Sequence, residues 1–182
     1  ECITKINKHL KNEDKGLIKM FCGSGKSVII YNCMLEHGKN ISVVVVPSIG
    51  LITQFNRDYL LNNDMKKYND KHFQKKFILL TICSKNEINK KQQKEFMFTS
   101  NSDEILCFLQ QKLDKIILIT YQSLDILFNI IKTNELKIDL LCFDEAHHIL
   151  GDGMKKLLFG TDDEYDSCDC DNDDNDDINK NF

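Results

Sequence analysis

"MFCGSGKS", residues 20–27, keeps Gly25, Lys26 and Ser27 of the phosphate-loop pattern Gly-x-x-x-x-Gly-Lys-[Ser/Thr] and carries Met20 at the first glycine position. Such a loop aims main-chain N–H groups at phosphates, so glycine is required where the chain approaches them closely. Gly23 and Gly25 meet that need, with Ser24 between them. Lys26 suits the β- and γ-phosphates, and the Ser27 hydroxyl suits a magnesium ion. Upstream, "GLIKM" (16–20) predicts a short strand running into the loop. Downstream, 26–37 predicts a helix whose N-terminal dipole favours an anion. A plain glycine turn capping a helix is the alternative on this stretch alone.

Working outward, apolar runs alternate with helix-like segments. "ISVVVV" (41–46), "FILLTIC" (77–83), "KIILIT" (115–120) and "IDLLCF" (138–143) are nearly continuous, as strands buried on both faces must be. Helical spacing follows Pro47 in "SIGLITQFNRDYLL", with Ser48 as N-cap, and recurs over 102–111 and 122–132. This order predicts an α/β fold: three layers, a mainly parallel central sheet, and ligands beyond the carboxyl ends of the strands. "LLCFDEAHHI" (140–149) delivers Asp144 and Glu145 to such an end. Phosphate chemistry with magnesium needs one carboxylate for the metal shell and a group that orients the attacking water. Asp144 fits the first role and Glu145 the second.

Composition bounds the classes. The chain has 182 residues, 42% hydrophobic and 29% charged, which is ordinary for one globular domain. Ten acidic residues and one lysine fall after Gly160, leaving 23 basic and 18 acidic groups in 1–160. We therefore expect a mildly basic domain over 1–160, compatible with a nucleic-acid partner, and an acidic disordered segment over 161–182. No apolar run is long enough to predict a membrane span. The eight cysteines are scattered, and Cys83, Cys107 and Cys142 fall in apolar runs, where the thiol is expected to behave as a small buried hydrophobe. A reducing, intracellular setting (cytoplasm or nucleus) follows. The C-x-C of Cys168 and Cys170 is a weak metal motif. Glu1 in first place predicts a piece of a longer chain.

"GSGKS", "VVVVPSIGLITQF", "ITYQSL" and "DEAH", in this order, resemble the ATP-binding, RecA-like first lobe of a DEAH-type superfamily 2 helicase or translocase. They resemble especially the branch related to type III restriction enzyme motor subunits, where Met is common at the first loop position. The resemblance implies a P-loop fold that binds ATP and Mg2+. Gly23, Ser24, Gly25, Lys26 and Ser27 would hold the triphosphate, Ser27 and Asp144 the metal. Glu145 would be the general base, and His147 would link the nucleotide site to the nucleic-acid motifs. Pro47, Ser48 and Gln54, and later Thr120, Tyr121, Gln122 and Ser123, would meet the nucleic-acid backbone.

Simpler roles stand beside these: Pro47 ends a strand, Ser48 caps a helix, Tyr121 packs on the sheet edge, and His148 pairs with nearby acids. "KKYNDKHFQKK" (66–76) reads as a solvated connection, with nucleic-acid contact as the alternative. The implied partners are DNA, with RNA as competitor, and a second RecA-like lobe of the same parent chain. A P-loop kinase and a nucleotide-dependent interaction module without turnover are the rival functions. Nothing before Gly16 matches the adenine-reading glutamine of many members, and no Ser-Ala-Thr-type motif follows "DEAH". Residues 1–182 alone are expected to bind ATP weakly and hydrolyse it poorly. The Lys, Asn and Ile content points to an A·T-rich genome, and the motif flavour to a large DNA virus with its cytoplasmic factory.

Overall fold

The computed structural model describes residues 2–21, 23–84 and 98–147. Strands β1 (Ile41–Val46), β2 (Phe77–Ile82), β3 (Phe98–Thr99), β4 (Asp114–Thr120) and β5 (Leu140–Phe143) form one sheet in the order β3-β2-β4-β1-β5. Every pairing in it is parallel. Helices α1 (Cys2–His9), α2 (Lys26–His37), α3 (Ile49–Phe55), α4 (Asn63–His72), α5 (Ser102–Leu109) and α6 (Leu124–Thr133) join them, with a π-type turn over Asn56–Leu60 and a tight helical turn over Tyr121–Ser123.

Side chains of a strand alternate between faces, and "ISVVVV" shows why its run is unbroken. Ile41, Val43 and Val45 pack with Ile117, Ile119 and residues of α5 and α6. Val44 and Val46 pack on the other face with Ile116, Leu118 and residues of α2 and α3. Two helical layers therefore sandwich the sheet, the three-layer α/β arrangement expected. Each fully buried aliphatic side chain contributes roughly 1.5–3 kcal/mol of transfer free energy. Burial pushes the Cys33 thiol up to about 11, and the half-buried Cys142 thiol on β5 is pushed up to about 12. Cys107 departs from expectation and is exposed, because α5 buries Ile105, Phe108 and Leu109 and turns 107 away from the sheet.

Gly38 closes the turn from α2 into β1. Its φ is an ordinary −63°, so space rather than conformation demands glycine. A Cβ there would collide with the Ser42 hydroxyl and the Met34 carbonyl. Gly38→Ala is expected to destabilise the chain by about 1–3 kcal/mol, seen as a lower urea midpoint. An unchanged midpoint would contradict this close approach.

Two expectations need correction. Residues 16–20 are not a strand: Leu17 is 71% and Phe21 90% exposed, and no described strand lies beside the segment to take its main-chain hydrogen bonds. The helix after Pro47 runs on as expected through residue 60, but α3 widens into a π-type turn over Asn56–Leu60. The 66–76 stretch is no mere connection. Most of it lies in α4, where Asn62 caps the first turn and Tyr68 donates to Asn32 of α2 at 3.1 Å. Residues 148–182, with His148, the C-x-C pair and the acidic segment, lie outside the described residues, as do 85–97.

Candidate nucleotide site

The parallel register gathers the site. Val46 of β1 lies level with Thr120 of β4, and Val45 with Phe143 of β5. The residues that follow all three strands, Pro47, Tyr121 and Asp144, therefore emerge along one edge of the sheet. The Asp144 N–H still donates to the Val45 carbonyl at 2.8 Å, which ties the acidic turn to the sheet.

The glycine loop reaches the same edge. Gly23 and Gly25 have φ of 74° and 92°, left-handed values that side chains disfavour. Gly25 is the N-cap of α2 and offers no side-chain acceptor, so the first N–H groups of the helix are left for an anion. The Ser24 hydroxyl donates to the Phe21 carbonyl and closes the loop. Lys26 Nζ donates to Glu145 Oε1 at 2.9 Å, joining residues 119 apart in the chain. The other carboxylate oxygen, Oε2, lies 3.5 Å from His147 Nδ1, an ion pair whenever that imidazole is protonated.

Glu145 has a φ of 54°, and a non-glycine residue held there costs roughly 1–3 kcal/mol. Asp144 accepts the Glu145 N–H at 3.1 Å. Burial raises the Asp144 carboxyl above the ordinary carboxylate range, and the Glu145 charge adds to it, while Lys26 opposes the rise. A carboxylate so placed is short of positive charge. Within the described residues no three His, Cys, Asp or Glu side chains cluster to hold a metal by themselves. One hydroxyl (Ser27), one carboxylate (Asp144) and the phosphates of a nucleotide form the sparse oxygen set that Mg2+ accepts. The residues present fit that ion.

The raised Asp144 carboxyl has a sign that can be tested. The folded chain holds this proton more tightly than the unfolded chain. Stability therefore falls as pH rises from the ordinary carboxylate range through the raised value, and above it the penalty is complete. Asp144→Asn is expected to raise the unfolding midpoint at neutral pH, with the gain shrinking toward acid. Identical midpoints for variant and parent across that pH range would contradict the burial account.

The other singled-out residues occupy different environments. Ser48 caps α3, accepting the Leu51 N–H at 3.4 Å. Pro47 is half-buried, while Ser48, Gln54 and Gln122 are exposed. Asp58, one helical turn beyond Gln54, is held below its ordinary range first by the hydrogen bond it accepts from Arg57. Thr120 and Ser123 are buried, with their hydroxyls 3.2 Å apart. Tyr121 is buried too, and its hydroxyl donates to the Asp144 carbonyl at 2.8 Å. Burial, then the Asp144 and Glu145 charges, push that phenol far above its usual range.

Tyr59 is a residue that spacing did not disclose. The π-type turn carries it back against Tyr31 and Phe55, with ring centroids 5.7 and 5.0 Å away, and brings its hydroxyl near Ser27. Nothing in the local pattern of "NRDYLL" shows that one extra residue per turn will swing this ring toward the phosphate loop.

The sequence model of the family described as "Type III restriction enzyme, res subunit" matches residues 1–166. Among solved structures, the chain is similar to a nuclease-deletion mutant of the Type ISP restriction-modification enzyme LlaGI, in complex with a DNA substrate mimic. The TM-score is 0.59 and the identity 21%, over 82% of this chain and 12% of that one. This likeness supports the RecA-like α/β fold. No curated protein matches the chain.

Proposed function

This chain belongs to the type III restriction enzyme res-subunit family, and from that premise we propose that it is the ATP-binding lobe of a DEAH-type DNA helicase or translocase. The coarser statement, an ATP-binding helicase-like motor domain, follows from the family. The finer one is carried by a single observation, the 2.9 Å contact between Lys26 and Glu145. It sets the glycine loop and the "DEAH" turn face to face, which a lone phosphate loop would not do.

In this reading the triphosphate takes the place of Glu145 on Lys26. The loop N–H groups and Lys26 hold the phosphate oxygens in line, and the freed Glu145 carboxylate accepts a proton from water. Attack of that water on the γ-phosphorus forms one P–O bond and breaks the bond to the ADP oxygen. Most of the rate comes from positioning and charge. Magnesium, when bound by Ser27 and Asp144 with the phosphates, neutralises the charge that builds on them. Exposed Ser48 and Gln122 follow the strand ends at the same edge, and with exposed Gln54 of α3 they are our candidates for nucleic-acid contact, with Pro47, Thr120 and Tyr121 shaping the main chain beneath. Such contacts go to the backbone and carry little sequence information.

DNA is favoured over RNA because the LlaGI relative was solved with a DNA substrate mimic. A second RecA-like lobe is proposed as the partner that completes the ATP site. The deciding test is ATP hydrolysis by the intact protein with DNA and RNA of matched sequence. DNA is expected to stimulate turnover and RNA is not. Equal stimulation by RNA would overturn the DNA assignment, and no turnover with either would overturn the motor.

A further inference from the structure

The end of β4 faces two ways. In the tight turn Tyr121–Ser123, stapled by the Thr120 and Ser123 hydroxyls, Gln122 is exposed and Tyr121 points inward. The Tyr121 ring lies against Phe143, the last residue of β5, with centroids 6.0 Å apart. Its hydroxyl donates to the Asp144 carbonyl at 2.8 Å and lies 3.4 Å from the Glu145 carbonyl. Strands β4 and β5 are not neighbours, because β1 separates them. Tyr121 therefore spans a strand to reach the main chain of the two carboxylates.

Those carbonyls flank the backbone of Glu145, whose left-handed φ is unusual for a side-chain-bearing residue. Rotation about that backbone would swing the Glu145 carboxylate off Lys26 and turn the Asp144 carboxylate as well. Resting on the function proposed above, we infer that Tyr121 is a positioning residue for ATP hydrolysis. Its hydroxyl holds the Asp144–Glu145 turn in register and passes to it any strain that a nucleic acid puts on the Gln122 turn. Tyr121 touches neither nucleotide nor water in this role. It acts through the carboxylates.

Tyr121→Phe keeps the ring and removes only the hydroxyl. Tyr31→Phe is the control, because Tyr31 also donates a buried hydroxyl to a main-chain carbonyl, that of Met65, but on the far face of the sheet. The intact protein and both variants would be compared for ATP turnover with and without duplex DNA, and for amide exchange over 140–147. Tyr121→Phe is expected to lower kcat by roughly tenfold or more, as loss of a group that orients a ligand does. KM for ATP should stay within about twofold, stimulation by DNA should be lost, and exchange over 140–147 should quicken. Tyr31→Phe should lower the melting temperature and leave kcat alone. A Tyr121→Phe kcat within about twofold of the parent, or an equal loss in both variants, would overturn the inference. If the parent itself hydrolyses no ATP, the motor reading fails separately. Exchange over 140–147 then decides, and equal rates in parent and Tyr121→Phe overturn the positioning role.

Discussion

Glu145→Gln is expected to lower kcat for ATP hydrolysis by about 10²–10⁴-fold, the usual worth of a positioned general base. The carboxamide has the same size and keeps an oxygen for Lys26, but it cannot accept the proton of the attacking water. ATP binding should survive, and should even tighten, because Lys26 then leaves a neutral acceptor rather than a carboxylate. Single-turnover hydrolysis with a parallel binding titration separates the two effects. Retained turnover would remove Glu145 from the role of base and leave it as a partner of Lys26 alone.

Lys26→Ala is expected to act at the opposite step. It removes the cation that reaches the phosphates, so binding and turnover should both fall, with a combined loss of roughly 10²–10³-fold or more in kcat/KM. Folding should hardly notice. The side chains of Lys26 and Glu145 remain 28% and 35% exposed. A partly solvated pair of this kind contributes about 0–1 kcal/mol. The variant should therefore unfold at nearly the parent's urea midpoint. A large fall in that midpoint would make the pair structural and weaken its assignment to phosphate binding.

The two variants also separate the rival functions. A nucleotide-dependent module without turnover would lose binding with Lys26→Ala and be indifferent to Glu145→Gln. A motor loses turnover with both.

Much of the architecture was legible in short apolar runs. "ISVVVV", "FILLTI" and "KIILIT" read as two-faced strands because both parities are apolar, and each parity meets its own helical layer. The glycine loop and the helix it opens were equally legible, since glycine at a left-handed φ and lysine at a helix start are local requirements. What was missed depends on partners. "GLIKM" is apolar like the strands, yet apolar character alone cannot supply a neighbouring ladder. The segment 66–76 is lysine-rich and largely solvated as read, but the Asn62 cap and the Tyr68 hydrogen bond to α2 make most of it a helix rather than a connection. Tyr121 and Gln122 are adjacent and equally polar in outline, and only the turn into α6 sends one inward and the other out.

Residue type and spacing by themselves determined a parallel α/β sheet, a glycine loop opening a helix, and a carboxylate pair at the end of a strand. Those are properties of single segments, set by side-chain parity, φ preference and charge. The tertiary structure alone decided that Lys26 meets Glu145 across 119 residues, that Tyr59 reaches Ser27, and that Tyr121 crosses β1 to the acidic turn. Each of these depends on strand order and register, and no local pattern encodes which strand will lie beside which.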